Sequence, residues 1–524
     1  MACLALPRGD WLLVGAGATL ITLAYPPFHL FVPSFVCLAP AVWLLQAGAS
    51  DLRPLRRHLV QGFWLAFVSN GGLLYWMVFA LWRFTPLSGL GYVAMLLLLG
   101  VCGALLFALT GWMARAAGVS LLVAFPVMWT AHEWVLGHLG DIRFPWLGLG
   151  TSLTGFPTIV QVADAVGARG VTLLLALANA ALAVAWSRRG DRRRAGWLAG
   201  AVAIGIALAF AYGLIRERVT PLRPLGTVAV LQPNVGVREK WDRTLQDSIV
   251  RSTVELSETA VRAAEPDLLV WPEAAVPGDL FRRPEWRSLI AEHVRQTRTP
   301  LVVGGLHTLF SAAGTSGRYN SAFVFDSTGD TGGQPVYHKR YLVPVAERVP
   351  FFAPGRIDLP WVGGFAAGER GTVYDVGMGK FGILICYESA IESLSREYRL
   401  DGASFLVNIT NDAWFGKATA AYQHAAHLVM RAIENRIGIA RSANSGFSEF
   451  VDPLGRQHER TTLGVRTYAT ATLQASHTLT LYTRLGDWVG RAVVVFAVGL
   501  LAYTSWRARY AFPPRSNTFA SMKI

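Results

Sequence analysis

Charge is scarce in this chain. Only 16% of its 524 residues are Asp, Glu, Lys or Arg, whereas an ordinary soluble protein carries about 25%. The deficit is uneven. Residues 1–215 are almost wholly apolar outside short arginine-rich knots, 216–485 read as a water-soluble α/β domain, and a last apolar run covers 486–505. That distribution excludes a wholly soluble protein and divides the chain into 1–215, 216–485 and 486–524. Cysteine is scarce as well, with four in all. Cys3, Cys37 and Cys102 lie in or beside apolar runs, where a free thiol behaves as a small hydrophobe. A disulfide framework is excluded, and Cys386 is left as the single thiol of the polar region. Internal repeats and sizeable low-complexity linkers are also missing.

Acidic residues are outnumbered 34 to 48 by basic ones, giving a net charge of +14. This excess does not point to nucleic acid. Much of it sits in short loops between apolar runs and in the tail: Arg53, Arg56 and Arg57; Arg115; Arg188, Arg189, Arg192, Arg193 and Arg194; then Arg507, Arg509, Arg515 and Lys523. Such placement is the positive-inside signature of a membrane protein, and these residues would meet anionic headgroups. A spanning helix needs about 20 apolar residues. Eight runs qualify as candidates, near 10–25, 30–48, 59–82, 86–111, 119–138, 157–187, 195–215 and 486–505. The basic loops follow the second, fourth, sixth and last runs, so all are expected on the cytoplasmic side together with both termini. Seven crossings then place 216–485 outside. The first run is expected to remain as a span, because Ile21–Pro27 lacks a small-residue cleavage site. Asn70, His132, Glu133 and Asp164 interrupt the runs. They are either functional groups or interhelical hydrogen-bond partners. Phe144-Pro-Trp146 reads as an interfacial aromatic anchor.

In 216–485 short apolar runs alternate with longer polar helical patterns. Strands are expected at 226–231, 267–271, 300–305, 321–325, 372–376, 381–386, 404–409, 438–442, 449–451 and 468–473. Helices are expected at about 243–264, 285–297, 388–398 and 418–436. Asp452-Pro-Leu-Gly455 reads as a turn. The sum is a mixed α/β domain large enough for a substantial core.

Three segments carry chemistry. Cys386 ends an apolar run in Phe381-Gly-Ile-Leu-Ile-Cys-Tyr-Glu388, a strand-to-helix position that exposes a thiol beside free N–H groups. A thiol is weakly ionised at neutral pH and needs a base or a cation. Glu273, in Trp271-Pro-Glu273, follows an apolar strand, between prolines that stiffen its turn, and suits a general base. Lys339, in Tyr337-His-Lys339, is a cation flanked by aromatic residues and suits an oxyanion stabiliser. Its neighbour His338 is a weaker candidate base.

Together the three segments resemble the nitrilase (carbon–nitrogen hydrolase) superfamily, whose Glu, Lys and Cys occur in this chain order. The resemblance implies an α-β-β-α sandwich. A nitrilase-like domain set between a block of spans and one final span further resembles the membrane-embedded apolipoprotein N-acyltransferase branch. The stretches that carry it are Lys240-Trp-Asp242, Trp271-Pro-Glu273, Lys339 with Leu342-Val-Pro344 and Glu347, Ile385-Cys-Tyr-Glu388, Asn408-Ile-Thr-Asn-Asp-Ala-Trp-Phe-Gly416 and Arg441-Ser-Ala-Asn-Ser-Gly446. One departure is Val345-Ala346, where the family has Phe-Gly. The resemblance implies that Glu273 is the base, Lys339 the oxyanion stabiliser and Cys386 the nucleophile, with Trp241, Glu347, Tyr387 and Glu388 also critical. Glu347 and Glu388 would orient Lys339 or Glu273 in a charge network, and Trp241, Trp414 and Phe415 would form apolar loops that admit acyl chains. It implies acyl transfer from a phospholipid to a diacylglyceryl apolipoprotein in the bacterial inner membrane, with no metal or organic cofactor and a monomeric enzyme. Two competing readings are a membrane-tethered amidase that uses water and a transporter with an outside domain. The latter would leave the triad unexplained.

Overall fold

The computed structural model describes residues 5–49, 51–82, 88–310, 316–331, 333–352, 356, 363–416 and 418–511. Cys3, positions 86 and 87 of the fourth apolar run, and Arg515 and Lys523 of the tail lie outside the described residues.

Helices occupy the places of all eight apolar runs: Arg8–Ala24; Phe31–Val36 with Ala39–Ala49; Pro54–Leu74 with Trp76–Trp82; Ser88–Ala116; Leu121–His138; Ala163–Ser187; Arg192–Val219; and Trp488–Ala511. Among the described residues, five are both long and apolar enough to cross a bilayer: Phe31–Ala49, Ser88–Ala116, Ala163–Ser187, Arg192–Val219 and Trp488–Arg509. Length and hydropathy therefore support five crossings. Of the other three, Arg8–Ala24 has only 17 residues. Pro54–Leu74 and Leu121–His138 are diluted by polar residues that bond between elements. Gln61 donates to Asp10 at 2.8 Å, and Glu133 accepts from Thr172 at 2.9 Å. Small residues set the helix spacing. A Cβ on Gly62 would come within 2.2 Å of the Gly103 carbonyl oxygen, so Pro54–Leu74 and Ser88–Ala116 touch backbone to backbone.

The two ends of the bundle differ. At one, Arg57 pairs with Asp10 at 2.9 Å and Asp51 at 3.2 Å, and Ser187 donates to Gln46 at 2.7 Å. At the other, Tyr25 donates to the Leu147 carbonyl at 2.8 Å and Gln423 of the α/β domain donates to the Leu73 carbonyl at 3.1 Å. The α/β domain thus sits on the end away from the arginine-rich turns.

That domain is a sandwich of two six-stranded sheets. The strands are β1 (Arg223–Gln232), β2 (Leu268–Val270), β3 (Leu301–Phe310), β4 (Ser316–Phe325), β5 (Tyr337–His338), β6 (Val373–Asp375), β7 (Lys380–Ile385), β8 (Phe405–Thr410), β9 (Gly438–Ala443), β10 (Glu449–Val451), β11 (Gln457–His458) and β12 (Thr467–Ala475). Their orders are β12-β1-β2-β3-β4-β5 and β11-β10-β9-β8-β7-β6, with β1-β2-β3 and β7-β8-β9 parallel. Period-two alternation sorts the first sheet's side chains. Val228, Val230, Leu268 and Val270 join the core between the sheets. Ala229, Leu231, Leu269 and Trp271 pack outward on helices Gln246–Ala264 and Pro284–Thr297. Helices Glu392–Leu400 and Ala420–Asn435 cover the second sheet and also meet the bundle. The expected α-β-β-α sandwich is present.

Local differences have physical reasons. The strand expected to include Cys386 stops at Ile385, because Cys386 takes a left-handed φ of 54°. The next helix begins at Glu392, after a 3-10 turn over Cys386–Ala390. Asp452–Gly455 does form a turn, closed by Gly455 N–H to the Asp452 carbonyl at 2.9 Å. Phe144-Pro-Trp146 is not an interfacial anchor: Trp146 is 4% exposed, walled in between the bundle and the α/β domain.

Candidate active site

The carboxyl ends of the parallel strands converge where the domain meets the bundle. β7 delivers Cys386, which keeps partial exposure while Tyr387 and Glu388 are buried. A non-glycine residue at positive φ is strained unless its surroundings hold it. Glu388 supplies part of that hold. Its carboxylate accepts N–H bonds from Ile385 at 2.7 Å, Arg340 at 2.7 Å and Tyr341 at 3.2 Å, and the Tyr337 hydroxyl at 2.9 Å. It therefore ties the Cys386 turn to the Lys339 loop through backbone donors. Glu388, expected to orient Lys339 or Glu273 in a charge network, instead bonds this backbone scaffold, since buried N–H groups need an acceptor more than the ammonium needs a third carboxylate.

β2 ends at Val270 and leads into Glu273, which is 6% exposed. Gly304 on β3 makes room: a Cβ there would lie 2.3 Å from the Pro272 carbonyl oxygen and 2.7 Å from Glu273 Cα. Both carboxylate oxygens of Glu273 are bonded, one to Asn320 Nδ2 at 2.6 Å and the other to Asn411 N–H at 2.8 Å. Lys339 Nζ lies 3.8 Å from Glu273 and 2.9 Å from Glu347. Glu347 also accepts from Asn320 at 3.1 Å and from Val343 N–H at 2.7 Å. At Val345-Ala346, where the sequence departs from the family, Val345 adopts φ 67° and its N–H bonds the Arg348 carbonyl at 2.9 Å, leaving Glu347 on Lys339.

Burial alone would strip Lys339 of its proton, but Glu347, Cys386 and Glu273 around it raise its pKa well above the ordinary lysine value. Burial, and then the Glu273 charge, pushes the Cys386 thiol up, with Lys339 pulling the other way. The resting sulfur is therefore a thiol, with a cation and a carboxylate within electrostatic reach. His338 does not join them. It bonds Ser321 Oγ at 2.8 Å, stacks on Tyr319, and burial lowers its pKa to about 4.

The remaining candidates lie on neighbouring segments. Tyr387 donates to the Arg143 carbonyl at 2.8 Å and stacks on Trp146. Phe415 meets Trp76 at 4.9 Å between ring centroids. Trp76 and Trp146, both from the bundle, donate to Gln423 Oε1 at 3.1 and 2.9 Å. Trp241 is half-buried at the end of helix Val237–Trp241, next to Lys240, whose Nζ lies 3.4 Å from the Glu273 carbonyl oxygen. Trp414 is half-buried in the turn Asp412–Phe415.

The intramembrane acids are spent on structure. Glu133 pairs with Arg169 at 3.2 Å, which reaches Glu392 at 3.3 Å. Asp164 takes Arg216 at 2.7 Å and Arg436 at 2.6 Å. Both tie the bundle to the α/β domain. Asn70 bonds back to the Ala66 carbonyl within its own helix. No group of three or more His, Cys, Asp or Glu among the described residues is arranged to hold a metal ion.

Sequence reasoning missed Asn320, which joins Glu273 to Glu347, and His424, which contacts the Cys386 carbonyl at 3.0 Å. It singled out the segments holding Asp412 and Arg441 without seeing that these two pair at 2.8 Å. Asn320 was detectable in principle as an amide at the start of an apolar strand. His424 gave no signal, lying in a helix of ordinary composition.

Two family models match the chain: the apolipoprotein N-acyltransferase N-terminal domain over residues 17–181 and carbon-nitrogen hydrolase over 227–480. An apolipoprotein N-acyltransferase of Geobacter metallireducens is 32% identical, covering 98% of this chain and 97% of its own. Another, of Bradyrhizobium diazoefficiens, is 34% identical over 93% of each chain. The C. elegans NitFhit protein, a solved structure, aligns with a TM-score of 0.39 and 18% identity, over 58% of this chain and 67% of that one. Near-full-length identity at this level, with both regional models in the same order, makes the chain a member of the apolipoprotein N-acyltransferase family.

Proposed function

We propose that this protein transfers a fatty acyl chain from a phospholipid to the α-amino group of an N-terminal diacylglyceryl-cysteine, through a thioester on Cys386. The observation that carries this reading is the Glu273–Lys339–Glu347 cluster beside a partly open thiol, at the seam between an α/β sandwich and an apolar helix bundle. Glu273 takes the thiol proton and the thiolate adds to the ester carbonyl. Lys339 and a backbone N–H hold the tetrahedral oxyanion. Its collapse expels lysophospholipid, which takes the proton back from Glu273. The α-amine of the second substrate then attacks the thioester, its proton passes to Glu273, and Cys386 leaves as thiolate and is reprotonated. The product is a triacylated lipoprotein.

Location follows from the substrates. Each methylene drawn into water costs about 0.8 kcal/mol, so acyl chains stay with apolar surface. Phe415, half-buried against Trp76, and the exposed Phe79 and Trp82 of the bundle offer such a surface. Excluding water there also protects the thioester. On this reading 1–215 carry seven spans, 216–485 lie on the outer face of a bacterial inner membrane, and 486–524 return to a cytoplasmic tail. The placement of the α/β domain on the bundle end opposite the arginine-rich turns supports that topology.

Mass spectrometry of the protein incubated with phospholipid tests the proposal. The expected result is a fatty-acyl adduct on Cys386 that moves to a lipopeptide amine. Cys386→Ala and Glu273→Ala are each expected to abolish the adduct, and acylation retained in either variant contradicts the triad. An adduct released only to water favours a membrane-tethered amidase.

A further inference from the structure

His424 is buried, and acceptors face both of its ring nitrogens. Nδ1 lies 2.9 Å from Asp412 Oδ1, and Nε2 lies 3.0 Å from the carbonyl oxygen of Cys386. A neutral imidazole has one N–H and one lone pair, so it satisfies one of these contacts and opposes the other. Arg441 Nη2 lies 3.2 Å from the same Nδ1 and 2.8 Å from Asp412 Oδ2. As a donor it completes the carboxylate. Were Nδ1 instead a lone pair accepting from Arg441, it would confront a carboxylate oxygen at 2.9 Å.

The other neighbours hold the pair in place. Asp412 is ionised: burial works against that, but Arg441 and His424 bring its pKa to about 2. Thr410 Oγ1 adds a bond to it at 3.0 Å, and Gly446 lets it in, since a Cβ there would fall 2.1 Å from Asp412 Oδ2. The Trp146 ring lies 5.3 Å from the His424 ring and the Phe415 ring at 6.4 Å, and both wall the imidazole in. On its own helix, His427 is held neutral by burial, then by Arg431 and His424.

The bond falls on a peptide unit that matters. The Cys386 carbonyl and the Tyr387 N–H belong to the same amide, and this amide follows the left-handed elbow that presents the thiol. A donor on the carbonyl polarises that amide and strengthens its N–H. We propose that His424 is a positioning residue for the acyl transfer: anchored on Asp412, it donates Nε2–H to the Cys386 carbonyl, fixes the elbow, and primes the Tyr387 N–H to serve with Lys339 as oxyanion donor. This rests on the acyl-transfer reading above.

Two rates measured on the full-length enzyme in detergent test it. One is formation of the acyl adduct from phospholipid, which passes through an oxyanion. The other is alkylation of Cys386 by iodoacetamide, which does not. Removing a whole oxyanion donor costs roughly 10²–10³ in rate, so weakening one is expected to cost about tenfold to a hundredfold. His424→Ala should lower acylation by that factor and alkylation by less than about threefold. His424→Gln, which keeps a donor without charge, should recover part of the loss. Equal falls in both rates, or no fall in acylation, would overturn the role given to His424. If the wild-type enzyme formed no Cys386 adduct, the acyl-transfer reading itself would fall, and the role of His424 with it.

Discussion

Glu347 offers the sharpest test of how the charge network works. Lys339 is 1% exposed and shared unequally, 2.9 Å from Glu347 and 3.8 Å from Glu273. At an effective dielectric of about 20, a pair of unit charges attracts by about 5.7 kcal/mol at the shorter distance and about 4.4 kcal/mol at the longer. Glu347→Gln keeps the shape and removes the competing charge. Lys339 is then expected to close on Glu273, deepening that pair by about 1.3 kcal/mol. Glu273 must surrender this when it takes the thiol proton, which slows deprotonation about tenfold. The ammonium is also drawn off the position that meets the oxyanion, worth roughly a further 10²-fold. Adduct formation should thus fall about 10³-fold, while alkylation of Cys386 by iodoacetamide, which needs only the first of these effects, falls about tenfold. Both rates can be followed by mass spectrometry on quenched samples. A variant that acylates within threefold of wild type would refute the assignment of Glu347 as the residue that keeps Lys339 off the base.

Asp164→Asn should unfasten the bundle from the α/β domain. It leaves Arg436, which is fully buried, without its carboxylate, a loss of about 3–5 kcal/mol. Thermal inactivation in detergent should speed up at least tenfold, and an unchanged half-life contradicts this. Lys240→Met tests a buried cation. Burial lowers the Lys240 pKa from 10.5 to about 8, although Glu273 opposes it. A lysine whose folded pKa lies below its unfolded one costs stability fully below about pH 8, and the cost fades as pH rises toward 10.5. The difference amounts to about 3 kcal/mol. The variant should therefore outlast wild type at pH 7 and lose that advantage by pH 10. A less stable variant at pH 7 would mean that the bond to the Glu273 carbonyl outweighs the burial cost.

Glu273 and Cys386 were legible because Cys386 directly follows the short apolar strand β7 and Glu273 comes three residues after β2, and a strand end is where a side chain becomes presentable. Lys339 was legible only through its neighbours, since β5 is two residues long and has no period to read. The five clearest spans were legible from length and hydropathy. Of the three weaker ones, Arg8–Ala24 is short, and the other two are diluted by polar residues, such as Gln61 and Glu133, whose partners are distant in sequence. The seam between the bundle and the α/β domain could not be read. Gln423 meets Trp76 and Trp146 across 347 and 277 residues, and Asp164 meets Arg436 across 272.

Helix Ala420–Asn435 shows why such contacts stay hidden. All its residues except Tyr422 are buried, yet it carries Gln423, His424, His427, Arg431, Glu434 and Asn435. An amphipathic helix of this kind ordinarily turns its polar face to water. It is instead pressed between the second sheet and the bundle, where each polar group must find a protein partner or pay for desolvation. Gln423 finds the two tryptophans, His424 finds Asp412 and Cys386, Arg431 finds Glu434 at 2.7 Å, and Glu434 takes the Ala168 N–H of the bundle at 2.8 Å. The polar residues that made 216–485 look water-soluble are in part those that bind it to the apolar half. The same helix touches the bundle on one side and the Cys386 carbonyl on the other, and Tyr387 adds a direct link through the Arg143 carbonyl and Trp146. The reaction centre is therefore held to the bundle at more than one point.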